Sequence, residues 1–487
     1  MQETAPNRWL TLVVVCFAQF MVVLDATIVN VALPSIQADL DMTPSDLQWI
    51  VNSYTLLFGG FLLLGGRAAD LIGRRRLFLI GVALFSVASL ANALAPNGDV
   101  LIFARGLQGL GAALLSPAAL SIITTSFAEG QERTKALGVW GTIAGVGGAF
   151  GLLFGGILTD TLSWEWVFFV NIPIGIGVAL AALRWVPESR ADLVGEQRRF
   201  DLAGAVSVTA GLLLLVYALV KAEEKGWGSL HTLGLSGLAI ALLVAFVVIE
   251  RRSKAPLVQL RLFAIRSLSL ANGAMLIIFG GMFAMFFFVS LYVQQILGYS
   301  PLKAGVAFLP VTAGIIVGAT LSQQLIKRLG VRTTSFVGMT LAAVGLVVLA
   351  LTTKVDGAYV DILAGLVPFS VGMGLTFVPL TLVATTNVEA EQAGLASGVF
   401  NTSQQVGGAL GLAVLTTLAN DRTTSWLTGL GHAPSGAEQA AGLVEGFQLA
   451  FFVSAGLVAL GLAIVVLGLR ARDVARIDTS EPMVVPA

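Results

Sequence analysis

The sequence predicts an all-α membrane protein with 14 transmembrane helices, arranged as two pseudo-symmetric six-helix bundles plus two extra helices between them. Three observations lead to this prediction. The chain of 487 residues is 56% hydrophobic and only 11% charged, whereas a soluble domain is about 25% charged. It contains fourteen long apolar runs, and part of the fifth run recurs in the thirteenth at a constant spacing.

Each apolar run is long enough to cross a bilayer, because a spanning helix needs about 20 mostly apolar residues. Charged loops or loops with proline and glycine separate the runs. The predicted spans are 9–33, 47–66, 77–95, 99–124, 134–158, 166–184, 202–220, 230–249, 267–296, 302–326, 333–352, 360–384, 394–419 and 446–469.

The positions of lysine and arginine predict the orientation of these spans. With an N-terminus inside the cell, 22 of the 28 basic residues fall in cytoplasmic segments and 5 in outer segments. Cytoplasmic loops of membrane proteins are enriched in these residues. We therefore expect both termini to be cytoplasmic.

An internal repeat divides the chain into two halves. Residues 138–152 and 398–412 are identical at nine of fifteen positions, with an offset of 260. Both copies begin on the same side of the membrane, which indicates a parallel repeat of the kind found in transporters that bind substrate between their halves. Small residues recurring for helix packing are the alternative explanation. The predicted units are an N-terminal bundle (1–184), two inserted helices with their linkers (185–266), a C-terminal bundle (267–472) and a cytoplasmic tail (473–487).

Two charged residues lie deep inside apolar spans. Asp25 is the one acid well inside a span, and Arg105 is the one base. A charge at the bilayer centre costs roughly 2.5–3.5 kcal/mol unless it is paired or wetted, so such residues are functional candidates. Asp25 can hold a proton or face a cation, but not both, which is the minimum requirement for exchange. A structural hydrogen bond from protonated Asp25, or a fixed structural role for Arg105, is the alternative.

The composition excludes several other classes of protein. The 28 basic and 28 acidic residues balance, so no nucleic acid or other highly charged partner is implied. Cys16 is the single cysteine, which excludes an intramolecular disulfide and a cysteine metal cluster. The sequence has no ATP-binding Gly-x-x-x-x-Gly-Lys-Ser/Thr loop. We expect no metal, no cofactor and no enzymatic activity, since Asp25 and Arg105 are the one buried charged pair.

Four motifs carry a resemblance to a known family. They read LDATIVNVALP at 24–34, GRAADLIGRRR at 66–76, LIFARGLQGLGAA at 101–113 and GGAFGLLFGG at 147–156. With them the chain resembles the major facilitator superfamily over essentially its whole length, and within it the fourteen-helix drug–proton antiporter branch of bacterial multidrug efflux. Leu152 departs from the pattern, because the fifth-helix motif usually has proline there.

The resemblance implies export of lipophilic, often cationic drugs by alternating access, driven by the proton gradient across the bacterial inner membrane. Drugs, protons and the lipid bilayer are then the partners, and the protein is expected to be a monomer. Asp25 and Arg105 are the implied proton-coupling residues. Asp70 is implied to meet a helix N-terminus of the other half and to latch the inner gate, where a carboxylate is favourable; an ordinary loop carboxylate is the alternative. The predicted gating residues are Gly66, Asp70, Gly73, Arg74, Arg75, Gly147, Gly151, Gly155 and Gly156.

Aromatic and flexible side chains form the predicted wall of the cargo site. Methionine and phenylalanine can repack around varied apolar ligands, and an aromatic face can hold a cation. For any single residue, a plain lipid-facing position is the alternative. The predicted binding residues are Asp25, Tyr54, Phe58, Gln108, Trp140, Met275, Phe279, Met282, Phe283, Phe286, Asn401 and Gln405.

Two other functions remain open from the sequence. One is a dedicated exporter of a single metabolite, antibiotic or lipid, which a narrow range of substrates would indicate. The other is a receptor or scaffold, which would bind its ligand without transporting it.

Overall fold

The structure is a computed structural model that describes residues 8–127, 131–190, 201–253, 256–385, 388 and 392–470. Within these ranges the regular structure is helical and includes no strand. Eleven of the described helical segments are long and apolar enough to cross a membrane. The helices are α1 (Arg8–Asp39), α2 (Pro44–Ile72), α3 (Arg74–Ala93), α4 (Gly98–Ser126), α5 (Gln131–Thr161), α6 (Trp166–Phe169), α7 (Asn171–Trp185), α8 (Leu202–Lys225), α9 (Leu230–Arg252), α10 (Arg266–Leu291), α11 (Pro301–Ala307), α12 (Leu309–Thr352), α13 (Tyr359–Thr385), α14 (Ala393–Thr428) and α15 (Gly436–Gly468).

The predicted spans fall on these helices, with two differences in continuity. The sixth span, 166–184, is divided at Val170 between α6 and α7. The tenth span covers α11 and the first part of α12, and the eleventh covers the rest of α12. Within α12 the chain turns at Gly330, whose φ of 79° lies in the left-handed region that favours glycine. Two helices therefore meet at this turn, inside the basic loop 327–332.

Helix packing groups the first seven helices together and the last six together. Between these groups, α8 and α9 form a pair. One side of α8 packs against α2 and α14, whereas α9 is mostly exposed. The predicted tail, 473–487, and most of the linker before α8 lie outside the described residues.

The repeated glycine motif makes equivalent contacts in the two groups. On α5, Gly147 and Gly151 bring the backbone against α1, and at an offset of 260 Gly407 and Gly411 bring α14 against α10. A side chain at any of these positions would collide with the facing helix. The facing residues are Val23 and Thr27 on α1, and Leu276 and Gly280 on α10.

The two groups of helices meet closely at the predicted outer end. A Cβ at Gly156 of α5 would lie 2.6 Å from the carbonyl oxygen of Pro301, which begins α11. One at Gly305 of α11 would lie 2.5 Å from the carbonyl oxygen of Leu152. Side chains are excluded there, so the backbones of α5 and α11 are in direct contact at this end.

Candidate functional site

Asp25 lies in the middle of α1 and is fully buried. Its neighbours on the buried faces of this helix are apolar, including Met21, Val22, Ile28 and Val29. An isolated carboxylate could not be held in such surroundings, because desolvating a charge is costly unless it is paired and hydrogen-bonded. The polar partners of Asp25 come from other helices of the N-terminal group.

Arg105 of α4 is the charged partner of Asp25. Its Nη1 donates to Oδ2 of Asp25 at 2.5 Å, and the side chains are 1% and 0% exposed. Breaking such a buried pair by removing one member typically costs 3–5 kcal/mol, roughly, because the other charge is left uncompensated. The two charged residues that the sequence places deep inside apolar spans therefore pair with each other.

The second carboxylate oxygen of Asp25 is held by amides. Gln108 Nε2 donates to Oδ1 at 2.7 Å and Asn171 Nδ2 at 2.8 Å. Ser89 accepts from both amides, at 3.2 Å and 3.1 Å. Asn92 Nδ2 donates to Gln108 Oε1 at 2.6 Å. Both oxygens of Asp25 thus have partners, which come from α4 and α7, and α3 supplies the residues that hold the two amides.

Arg105 is held on its remaining sides as well. Its Nε donates to the carbonyl oxygen of Ile50 at 3.1 Å. Its guanidinium lies 4.4 Å from the centre of the Tyr54 ring and 5.7 Å from that of Phe168, within the range of a cation–π interaction. These contacts involve α2 and α6, so a change of charge at Asp25 would act on helices throughout the N-terminal group.

The Asp25 carboxylate faces the interior of the N-terminal group in this conformation. It is fully buried, and its hydrogen-bond partners all belong to that group. The predicted contact between Asp25 and cargo is therefore not formed here. Direct contact requires another arrangement of α1, and this role of Asp25 stays a prediction.

A proline on α1 leaves a backbone carbonyl of this helix available to the other half of the molecule. Pro34 has no N–H, so the carbonyl of Asn30 lacks its usual donor within the helix. Ser290 Oγ of α10 donates to this carbonyl at 2.6 Å. Gln294 Nε2 donates to the next carbonyl, that of Val31, at 3.0 Å. The helix that carries Asp25 is thus bound directly to the C-terminal group near the predicted outer end.

The glycines of α5 lie against α1 beside Asp25. A Cβ at Gly151 would contact Thr27 and would lie 2.8 Å from the carbonyl oxygen of Leu24. One at Gly155 would lie 2.5 Å from the carbonyl oxygen of Ile28. Because α5 also packs on α11, it links the Asp25 region of α1 to the outer contact between the halves.

Asp70 lies near the end of α2, and among the described residues it makes no bond to the C-terminal group; the start of α3 binds the chain that follows α7. Asp70 pairs with Arg74 at 3.1 Å and is 36% exposed. Arg74 Nε donates to Ser121 Oγ at 2.7 Å, and its backbone N–H donates to the Ser189 carbonyl at 2.9 Å. Glu188 lies 3.8 Å from Arg75. The predicted inner latch is not engaged in this conformation.

The predicted wall residues fall into two sets. Tyr54, Gln108, Trp140, Met275 and Phe279 are buried in helix packing and offer no open surface here. The others are partly exposed. Among them, the Phe286 ring stacks on Phe308 at 5.7 Å. The partly exposed residues are Phe58, Met282, Phe283, Phe286, Asn401 and Gln405.

Several residues of the site were missed by the sequence reasoning. Ser89, Asn92 and Asn171 complete the network around Asp25, and Ser290 and Gln294 bind the carbonyls of α1. All are uncharged polar residues within predicted apolar spans. That position is the one signal that could have found them, and it does not reveal which way each side chain points.

Comparison with known proteins places this arrangement in a family. Residues 15–412 match the model of the Major Facilitator Superfamily. The chain is 40% identical to Puromycin resistance protein pur8 of Streptomyces alboniger, over 100% of the chain and 96% of that protein. It is 44% identical to Cephamycin export protein CmcT of Amycolatopsis lactamdurans, over 85% of each. It is 37% identical to Multidrug resistance protein Stp of Mycobacterium tuberculosis, over 84% of the chain and 75% of that protein.

Solved transporter structures share the fold at low sequence identity. An auto-inhibited peptide transporter of the POT family aligns with a TM-score of 0.68 and 17% identity, over 99% of this chain and 100% of that one. A bacterial homolog of the human lysosomal transporter Spinster, in an inward-facing and occupied conformation, aligns with a TM-score of 0.67 and 16% identity, over 97% and 99%. Family match, relatives and fold agree: the chain belongs to the Major Facilitator Superfamily, a family of membrane transporters and not of enzymes.

Proposed function

We propose that this transporter exports small lipophilic or cationic antibiotics and drugs in exchange for protons, by alternating access across a bacterial inner membrane. In this proposal the chain crosses the membrane fourteen times, with both termini in the cytoplasm, and works as a monomer without a cofactor. The observation that carries the proposal is the enclosed Asp25–Arg105 pair, whose hydrogen bonds reach across the N-terminal group.

The network supports a role in binding and releasing a proton. Arg105 keeps its bonds to Gln108 Oε1 and to the Ile50 carbonyl when Asp25 is neutral. Protonation would therefore remove the attraction between α1 and α4 without leaving the guanidinium unbound. A proton on Asp25 changes the packing of α1, and this is the step that would couple proton binding to movement.

Movement of α1 would reach the closed outer end through two contacts. One is the pair of hydrogen bonds from Ser290 and Gln294 to the carbonyls of α1. The other is α5, which packs on α1 with Gly151 and on α11 with Gly156. With its outer end closed, the conformation described here is one that would take up cargo from the cytoplasm or the inner leaflet. Protonation of Asp25 from outside would then accompany release.

Cargo is proposed to bind between the two halves. Partly exposed aromatic and methionine side chains on α10 supply an adaptable apolar surface. Relatives named for resistance to puromycin and for multidrug resistance support a drug-sized organic cargo. Asp25 would act on this cargo through helix packing or, in a different conformation, by direct contact.

The second candidate function is export of a single compound. It is favoured by relatives that are each named for one antibiotic, including puromycin, cephamycin and lincomycin. Resistance to a chemically mixed panel would support the multidrug proposal. Resistance confined to one compound class would support the dedicated exporter.

The test of proton coupling is transport in reconstituted vesicles, with flux of puromycin or ethidium and release of protons recorded together. We expect the Asp25→Asn protein to bind cargo and to lose exchange driven by a pH gradient. Such a gradient supplies a free energy of about 1.36 kcal/mol per pH unit for each proton. Asp39→Asn is the matched control, because Asp39 lies on the same helix but is exposed. Coupled exchange at the normal rate in Asp25→Asn would show that Asp25 is not needed for the mechanism. Ligand binding without flux in the unmodified protein would indicate a receptor.

A further inference from the structure

A second pair of buried carboxyl groups lies at one end of the inserted helices, far along the chain from Asp25. Asp201 precedes α8 and caps it: its Oδ1 accepts from the backbone N–H of Gly204 at 2.8 Å. Glu250 lies in the last turn of α9. Asp201 is 6% exposed and Glu250 is 4% exposed. The sequence places both in charged connecting segments, where solvent exposure is the expectation.

Glu250 is buried because the chain after α9 folds back over it. Its Oε2 accepts from the backbone N–H of Val258 at 3.0 Å. Leu257 and Val258 pack in one cluster with Leu64 of α2 and Val399 of α14. Glu250 therefore fastens this segment across the seam between α2 and α14, which belong to different halves.

The two carboxyl groups lie on the same side of Gly204. A Cβ at that residue would meet Glu250 Oε1 at 2.7 Å and Asp201 Cγ at 3.0 Å. Glu250 Oε1 and Asp201 Oδ2 are buried and have no hydrogen-bond partner among the described residues. Each carboxyl group thus uses one oxygen to bind backbone and leaves one oxygen unsatisfied.

Two ionised carboxylates so close together and so deeply buried would repel each other strongly. Buried polar atoms without partners are also unfavourable. A proton on Glu250 Oε1 removes both problems, because that oxygen becomes a donor and Asp201 Oδ2 can accept.

We propose that Glu250 and Asp201 together bind one proton, at a site separate from Asp25. With both termini in the cytoplasm, as the proposed function has them, this site lies at the cytoplasmic face. That location rests on the proposed function, whereas proton binding by the pair does not. Loss of this proton would place two negative charges beside each other and loosen the segment that Glu250 holds. The site would therefore make the seam between α2 and α14 sensitive to cytoplasmic pH.

Within the described part of the chain, Asp201 is the charged group that acts on Glu250. The backbone N–H of Val258, which donates to Glu250, is uncharged. The residues that α2 and α14 contribute to this cluster are apolar, namely Leu64 and Val399. Arg251 and Arg252, next to Glu250 on α9, are exposed.

The test uses purified full-length Asp25→Asn protein, in which the central carboxyl group is already removed. We expect the infrared absorption of a protonated carboxylic acid at neutral pH, and its disappearance in Asp25→Asn/Glu250→Gln. Proton uptake between about pH 5 and pH 9, measured with an indicator dye, should fall by about one proton per molecule in that variant. Asp201→Asn keeps a good helix cap and removes the repulsion, so Glu250 should then take up its proton at lower pH.

The matched control is Glu132→Gln, since Glu132 is an exposed acid paired with Arg8. It should leave both signals unchanged. Absence of the infrared absorption in Asp25→Asn, or equal proton uptake with and without Glu250, would overturn the proposal. Neither result depends on transport, so failure of this site is distinguishable from failure of the proposed exchange.

Discussion

Ser290 of α10 donates a hydrogen bond of 2.6 Å to the carbonyl oxygen of Asn30 on α1. This carbonyl is available because Pro34, four positions later, has no N–H to offer it. The contact joins the C-terminal group to the helix that carries Asp25. A proline within a membrane-spanning helix thus leaves an acceptor that the other group of helices binds.

We expect Ser290→Ala to weaken the closed outer end, since it leaves the Asn30 carbonyl without a partner at a cost of about 1–3 kcal/mol. The measurement is the distance between spin labels at Ala38 and Asp356, two exposed outer positions, in a Cys16→Ala background. The label distance should lengthen in Ser290→Ala.

The matching variant is Pro34→Ala, which restores an N–H to bond Asn30 within the helix. Ser290→Ala should then have a much smaller effect in the Pro34→Ala background than alone. Equal effects in the two backgrounds would contradict the role assigned to Pro34.

The packing of α5 on α1 predicts different effects for two neighbouring glycines. A methyl group at Gly151 would collide with Thr27 and the carbonyl of Leu24, whereas a Cβ at Gly148 has nothing within 4 Å. Gly151→Ala should cost about 1–3 kcal/mol of unfolding free energy through overpacking, and should impair transport. Gly148→Ala should retain or gain stability, because alanine is the better helix former. Thermal unfolding in detergent compares the two, and similar melting temperatures would be evidence against close α1–α5 contact.

The sequence predicts charged features of this molecule better than uncharged ones. Asp25 and Arg105 stand out because a charge within an apolar span demands a partner, and the structure pairs them. Asn171 and Ser290 do not stand out, because a single amide or hydroxyl is tolerated on any face of a helix. Their roles depend on how each helix is rotated, which periodicity does not define in spans that are apolar all round.

Burial of Glu250 illustrates the same difficulty at the end of a helix. The segment after α9 is rich in charge, and such composition predicts an exposed connector. Its apolar residues Leu257 and Val258 instead pack onto α2 and α14. Glu250 accepts a hydrogen bond from this segment and is buried beneath it. Contacts between elements distant in the chain decide this outcome, and the local pattern does not contain them.

Asn171 should influence the pH at which exchange occurs. It donates to Asp25 Oδ1 at 2.8 Å, and a hydrogen bond to the ionised form of a carboxyl group favours that form. In Asn171→Leu, Asp25 should therefore take up its proton at higher pH. We expect the pH profile of cargo exchange to move upward by about one pH unit.

The control for this shift is Asn272→Leu on α10. Asn272 is also a buried asparagine, bonded to the Leu268 carbonyl and to Ser403, but it belongs to the other half. Its substitution should affect stability without moving the profile. A profile that is unchanged in Asn171→Leu, or one that moves equally in both variants, would argue against Asn171 as a partner of Asp25.

Gly73, the residue between α2 and α3, is expected to tolerate substitution poorly. Its φ of 114° is unfavourable for a residue with a side chain, and a Cβ there would lie 2.7 Å from Glu188 Oε1. Gly226, with φ of 88° and nothing within 4 Å, experiences the backbone effect alone. Gly73→Ala should therefore lower the melting temperature more than Gly226→Ala, whose strain is worth about 1–2 kcal/mol.

Replacing Glu188 separates the two contributions at Gly73. In a Glu188→Ala background the side-chain collision is absent, so Gly73→Ala should cost no more than Gly226→Ala. Glu188→Ala alone should also release Arg75 and Arg76, which lie 3.8 Å and 3.7 Å from that carboxylate. If the excess cost of Gly73→Ala persists without Glu188, the loop is constrained by its own turn and not by the linker that leads to α8.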